Sequence, residues 1–213
     1  MSRHHQHSAL QSRRRLLAGA AALLGAPAVW RPAVAQPALP PTPSQTEGPF
    51  YPVALPADSD ADLLANGALR YTRGTPAWLQ GTVSDTAGRA VAGAVVEIWQ
   101  CDAAGHYHHP GDGGRADPSF QGFGRVVVDT RGGYRFRTIR PVVYGGRTPH
   151  IHLKVRLAQR ELLTTQVYAE GEPGNARDFL WQRLSPAQRS ALTVPFEATA
   201  EGAVARFAIV VAA

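Results

Sequence analysis

Cysteine is almost absent: Cys101 stands alone in 213 residues. One thiol excludes an intrachain disulfide framework, and in Trp99-Gln100-Cys101 it reads as a small buried hydrophobe sharing a strand face with Trp99. Acids are missing from residues 1–36, which carry five arginines, Arg3, Arg13, Arg14, Arg15 and Arg31. The formal net charge of +6 belongs largely to that segment. Removing its five from the 22 basic residues leaves 17 against all 16 acids, so no nucleic-acid footprint remains. Long apolar runs are lacking too. The one candidate, Leu16 to about Val29, is broken by glycine and too short for a stable membrane span.

What the first segment does contain is specific. Ser12-Arg13-Arg14-Arg15-Leu16-Leu17 opens the short apolar run, and Ala33-Val34-Ala35 closes it with small residues. A charged start, an apolar middle and an A-x-A site describe a secretory signal over residues 1–35. The arginine pair before the leucines resembles a twin-arginine signal, read by the export machinery for folded precursors. An ordinary Sec signal is the alternative. The expected location is periplasmic or extracellular, and His4, His5 and His7, upstream of the cleavage site, belong to no metal site. Residues 36–44, with PALPPTPS at 37–44, form a proline-rich linker. Residues 45–213 are long enough for one domain with its own core.

That domain reads as all-β. Short alternating or apolar runs recur at 78–84, 94–100, 124–129, 133–139, 150–157, 162–168 and 204–212. Turn signals such as Asp85-Thr86-Ala87-Gly88 and Asp129-Thr130-Arg131-Gly132-Gly133 separate them. The pattern predicts an antiparallel β-sandwich. Ser185-Pro186-Ala187-Gln188 predicts a capped helix near the C-terminus, and a second short helix is expected over 176–184.

In Tyr144-Gly145-Gly146-Arg147-Thr148-Pro149-His150-Ile151-His152, two histidines open a strand. Strand geometry sends residues i and i+2 to one face, so His150 and His152 point the same way. Alone, the pair is equally readable as two polar residues on an edge strand. Tyr107, in Gly105-His106-Tyr107-His108-His109, and Tyr144 shift the balance. Phenolate oxygen is a hard anionic donor, and two phenolates with two imidazoles suit ferric iron better than zinc. A zinc or copper site using the pair is a weaker option.

Further motifs carry a family resemblance. The run Gly81-x-Val83-x-Asp85-x-x-Gly88-x-x-Val91-x-Gly93-Ala94-x-Val96-Glu97-Ile98-Trp99-Gln100, followed by Gly105-x-Tyr107, resembles the intradiol ring-cleavage dioxygenases. So do Phe120-x-Gly122-x-Gly124-Arg125, Tyr134-x-Phe136-x-Thr138-Ile139-x-Pro141 and Tyr144 through Arg147 to His152, so that residues 44–172 are covered. The resemblance implies a non-haem Fe(3+) cofactor held by Tyr107, Tyr144, His150 and His152. It implies catalytic roles for Tyr144, the ligand that leaves and takes a proton, and for Arg147, which supplies fixed positive charge. Gln166 and the stretch containing Thr46, Gly48 and Pro49 fall at positions that meet substrate in the family. Partners would be a catechol-type diol and O2, giving a muconate-type diacid.

Two features depart from the family. Only Gly145-Gly146 separates Tyr144 from Arg147, where the protocatechuate enzymes carry a longer insertion, and no counterpart of the catechol enzymes' helical N-terminal dimerisation domain is expected in the roughly 40 residues between the A-x-A site and the first core strand. The expectation is an open site of weak selectivity, with Thr46 to Tyr51, from this chain or from a homo-oligomer neighbour, as the segment able to close it. The rival reading is a non-catalytic, transthyretin-like β-sandwich binding module, which residues 81–96 alone do not separate from the enzyme. For Arg147 the bland alternative is a surface salt bridge, and His106, His108 and His109 are expected to stay outside the ligand set.

Overall fold

The computed structural model describes residues 37–213; the segment expected to be a secretory signal lies outside them. A small hairpin, β1 (Ala65–Asn66) with β2 (Leu69–Arg70), comes first. It is followed by β3 (Pro76–Asp85), β4 (Val95–Trp99), β5 (Phe123–Val127), β6 (Gly133–Ile139), β7 (His150–Leu157) and β8 (Arg160–Ala169). The helices α1 (Phe179–Gln182) and α2 (Pro186–Leu192) precede β9 (Thr193–Val194), β10 (Glu197–Thr199), β11 (Gly202–Arg206) and β12 (Ile209–Val211). The capping box forms as expected, Ser185 Oγ accepting from the Gln188 amide at 3.3 Å and Gln188 Oε1 from the Ser185 amide at 2.9 Å.

Two sheets make the sandwich. In one, β3 pairs antiparallel with β6 and parallel with β11 and β12, and β10 flanks β11. In the other the order is β5-β4-β7-β8-β9, antiparallel except for β8 with β9. The run 204–212, expected as one strand, is therefore two. Their register along β3 continues, but the chain turns out of the ladder at Phe207-Ala208. Gly81 makes room for this, because a Cβ there would stand 1.9 Å from the Phe207 carbonyl oxygen. That oxygen instead accepts from the Tyr134 hydroxyl at 2.6 Å.

Leu79, Val83 and Phe136 from one sheet and Val96, Ile98, Ile151, Leu153, Val155 and Val167 from the other fill the space between them, all fully buried. On β7 the alternate face is buried as well: His150, His152 and Lys154 are 2, 2 and 3% exposed. Their cover comes from the chain before β1. The proline-rich segment has no regular structure of its own, yet it is docked, with amides of Leu39, Thr42 and Gln45 donating to the carbonyls of Thr86, Val210 and Thr164 at 2.8, 2.9 and 2.8 Å. No helix among the described residues is long and apolar enough to cross a membrane.

Candidate metal centre

Four rings meet over the start of β7. Neighbouring centroids lie 4.9 Å apart for Tyr107 and Tyr144, 5.9 Å for Tyr144 and His150, 4.7 Å for His150 and His152, and 6.0 Å for His152 and Tyr107. The four side chains that the sequence singled out thus form a closed quadrilateral. Each is held by local structure. His152 lies opposite Trp99 in the β4–β7 register, and the rings stack at 4.8 Å and 9°. Tyr107 hangs in the loop after β4, its amide donating to Asp112 Oδ2 at 2.8 Å, while Asp102 Oδ1 accepts from Ala104 and His106 amides at 2.9 and 3.0 Å. Tyr144 begins a tight turn closed by the Arg147 amide on its carbonyl at 2.7 Å. Gly145 and Gly146 sit at φ +50° and +80°, a region where side chains are strained, and a Cβ on either would meet nothing within 4 Å. The wall is open on this side.

The donor atoms suit a cation. His150 Nδ1 faces the Thr148 carbonyl at 2.6 Å, which makes Nδ1 the protonated nitrogen and leaves the Nε2 lone pair free. Nε2 of His152 stands 3.2 Å from it. Burial, with help from the Arg147 charge, pushes His150 down to about 4. Burial, His150 and Arg147 hold His152 well below the ordinary imidazole range, so both rings are neutral and able to donate. The Tyr107 hydroxyl is buried with no hydrogen-bond partner, as is His152 Nδ1. An orphan buried hydroxyl is costly, and a cation beside it would remove that cost by taking the oxygen as a ligand. Without one, burial raises the Tyr107 phenol well above its usual value and raises the less buried Tyr144 phenol less, with the Arg147 charge opposing the rise in both. Among the described residues no group of three or more His, Cys, Asp and Glu could hold a metal, and the oxygen donors beside the two imidazoles are the phenols of Tyr107 and Tyr144. The residues fit a hard trivalent ion.

Arg147 is not a surface salt bridge. Its side chain is 11% exposed, and Nε donates to Asp178 Oδ2 at 2.6 Å while Nη2 donates to Gln166 Oε1 at 2.7 Å. Asp178 also accepts from the Thr148 amide at 3.1 Å and caps α1 through the amides of Leu180 and Trp181. Burial alone would raise its carboxyl, but the bonds from Arg147, Trp181 and Thr148 outweigh it and hold the group below the usual range. Sequence reasoning passed over Asp178, although an aspartate opening the expected 176–184 helix was a visible cap.

Gln166 reaches both Arg147 and the cover: its Nε2 donates to the Thr46 carbonyl at 3.0 Å. Thr46 Oγ1 accepts from the Gly48 amide at 3.3 Å. Gly48, at φ +75°, lies on His152, where an added Cβ would stand 3.2 Å from Cε1. Pro49 is exposed. Phe50, not singled out beforehand, stacks on Tyr107 at 4.7 Å and meets Tyr144 edge-on at 5.5 Å. The cover over the rings is thus built from the same chain. The neighbouring histidines serve their own loop. His106 Nδ1 faces Asp112 at 3.4 Å, His108 Nε2 the Asp117 carbonyl at 3.0 Å, and His109 Nδ1 accepts from the Gly111 amide at 3.0 Å. Burial pushes the Cys101 thiol up to about 12, which keeps it an inert packing residue.

The profile of the family described as Dioxygenase matches residues 46–211, which takes in every one of these side chains. The chain belongs to the intradiol ring-cleavage dioxygenase family. Among curated intradiol relatives, the protocatechuate 3,4-dioxygenase beta chain of Burkholderia cepacia is 38% identical over 136 residues, covering 57% of each chain. A catechol 1,2-dioxygenase of Pseudomonas sp. is 31% identical over 163 residues, 65% of this chain and 50% of that one. The chain spans about half the length of the curated relatives it matches. The intradiol fold matches the solved dioxygenase domain of a dioxygenase carbohydrate-binding protein fusion from Streptomyces sp. SirexAA-E. The TM-score is 0.63 at 32% identity, over 80% of this chain and 97% of that one.

Proposed function

We propose that the protein opens catechol-type rings between their two hydroxylated carbons, using a ferric non-haem ion held by Tyr107, Tyr144, His150 and His152. The observation that carries this reading is the closed quadrilateral of two phenols and two neutral imidazoles around an unpartnered Tyr107 hydroxyl. A binding module has no use for such a donor set beside a clamped arginine, and this favours the enzyme over a transthyretin-like sandwich. Bound ferric iron would supply activation of the diol toward dioxygen. Both atoms of O2 enter the product, so the step needs no external reductant.

The chain's own residues do the rest. Tyr144 is less buried than Tyr107 and sits in a glycine turn, which suits its phenolate oxygen to accept a diol proton. Tyr107, stacked under Phe50 and fixed through Asp112, is the more firmly held of the two phenols that would hold the ion. Arg147 is locked by Asp178 and Gln166, so its charge is in place before the ring gains negative charge, at no cost of reorganisation. Gln166 and the Thr46–Gly48–Pro49 stretch bound the substrate side, whereas the glycine turn leaves the ring substituents uncontacted.

Purified protein should be coloured by phenolate-to-iron charge transfer, hold about one iron per chain and take up oxygen with catechol. Protein that stays colourless and inactive after iron reconstitution would sink the reading. Across catechol, protocatechuate, 4-methylcatechol and hydroxyquinol, kcat/KM should differ by less than about 10³, some 4 kcal/mol. The route of export is part of the proposal, on the strength of Arg13-Arg14 and the A-x-A site. Lysine at both arginines should hold the precursor in the cytoplasm, and continued export would point to Sec.

A further inference from the structure

Lys154 is the only lysine in a chain with 21 arginines. It follows His150 and His152 on the same face of β7, and its side chain is 4% exposed. A buried ammonium must be neutralised where it stands. Glu47 of the covering segment does so by direct contact, and Glu161 on β8 lies 3.3 Å away. The Tyr51 ring closes over it, with Nζ 4.0 Å from the centroid, and the Tyr51 hydroxyl donates to buried Glu97 at 2.9 Å. Glu97 is the cross-strand partner of Lys154 in the β4–β7 register. The two residues that grip this small cluster, Glu47 and Tyr51, bracket Gly48 on His152 and Phe50 on Tyr107. A guanidinium is broader and planar, whereas the compact ammonium fits between two carboxylates and a ring face.

We propose that Lys154 is a positioning residue that fixes residues 45–51 as the wall of the diol site, so that one strand sets both the ligand histidines and their cover. The structural part stands on the contacts alone; its kinetic consequence rests on the dioxygenase reading. Release of the wall would strip the ammonium of Glu47 and of the Tyr51 ring and leave it with Glu161 and the cross-strand Glu97, so docking of the wall and full pairing of Lys154 are coupled. Loss of the latch weakens binding of the diol more than it slows the chemistry, since Tyr107 keeps its bond to Asp112, His150 its bond to Thr148, His152 its stack on Trp99 and Arg147 its bond to Asp178, all outside residues 45–51.

Hydrogen exchange on the whole iron-loaded protein, read by mass spectrometry over residues 45–51, tests the latch. Oxygen uptake with catechol runs in parallel. Lys154→Met should speed exchange there by about tenfold or more. It should raise KM for catechol about tenfold with kcat within about threefold, at unchanged iron content. If that variant does not fold, Glu47→Gln takes its place, altering only the half-exposed partner. Lys154 is the only side-chain amine, so acetylation by an amine reagent then reports the same opening and should run about tenfold faster than in the parent protein. Unchanged exchange over 45–51, or a fall in kcat with unchanged KM, would overturn the proposal. If the parent protein fails to turn over catechol, the exchange result still decides the latch, and only the dioxygenase reading falls.

Discussion

The two faces of β7 are equally buried and chemically opposite. Ile151, Leu153 and Val155 point into the sandwich and belong to its apolar core, whereas His150, His152 and Lys154 point outward beneath the covering segment. Burial of the first set stabilises the fold through area removed from water. Burial of the second is unfavourable unless every polar atom finds a partner. The inner face needs volume; the outer face needs partners. A strand that is dry on both sides yet polar on one is therefore organised around a site.

Mutations on the two faces should fail in different ways. His150→Ala or His152→Ala should abolish stoichiometric iron binding while the fold survives, as read by metal analysis and circular dichroism on the same sample. Ile151→Ala should do the reverse, costing about 2–5 kcal/mol of stability in denaturant unfolding with one iron retained per folded chain. If a histidine variant loses the fold or the isoleucine variant loses only the metal, the contrast between the faces fails.

A smaller effect is expected beside the metal. Arg147→Ala should keep iron and colour but lower kcat by about 10²–10³, the usual loss when one preorganised charge is removed. Unchanged turnover would take Arg147 out of the reaction. Asp178→Asn should act through that arginine, lowering kcat by about tenfold, less than loss of the charge itself. It carries a pH signature too. The folded carboxyl lies below its unfolded value of about 3.9, so its stabilisation is full above that value and is lost as pH falls through the folded one. Melting curves of the parent and of Asp178→Asn should differ at neutral pH and converge in acid. Parallel curves down to pH about 2 would show that the carboxylate is not held by Arg147.

What the sequence made legible was local or periodic. His150 and His152 share a face because strands alternate, and the Ser185 cap is written in four consecutive residues. Tyr107 and Tyr144 were reached through chemistry and motif, since nothing in their spacing brings a loop after β4 beside a turn before β7. What escaped depends on distant partners. Asp178 meets Arg147 across 31 residues and Lys154 meets Glu47 across 107, distances at which one sequence carries no pairing signal. The stacking of Trp99 on His152 follows from a register that only the folded sheet sets. The break at Phe207 escaped for the same reason, because the room it needs is made at Gly81, far off in the chain.

Thr148 joins the histidine side of the centre to the clamp on Arg147. Its carbonyl fixes the tautomer of His150, its amide donates to the carboxylate that clamps Arg147, and its hydroxyl donates to Asn175 Oδ1 at 2.7 Å. Metal affinity and charge placement are in consequence not independent traits. A change at Asn175 that shifts Thr148 would alter both, and a double-mutant cycle between Asn175 and Arg147 should return a non-zero interaction energy although the pair shares no bond. Substitutions around this residue will be epistatic, so that a replacement tolerated alone fails beside another.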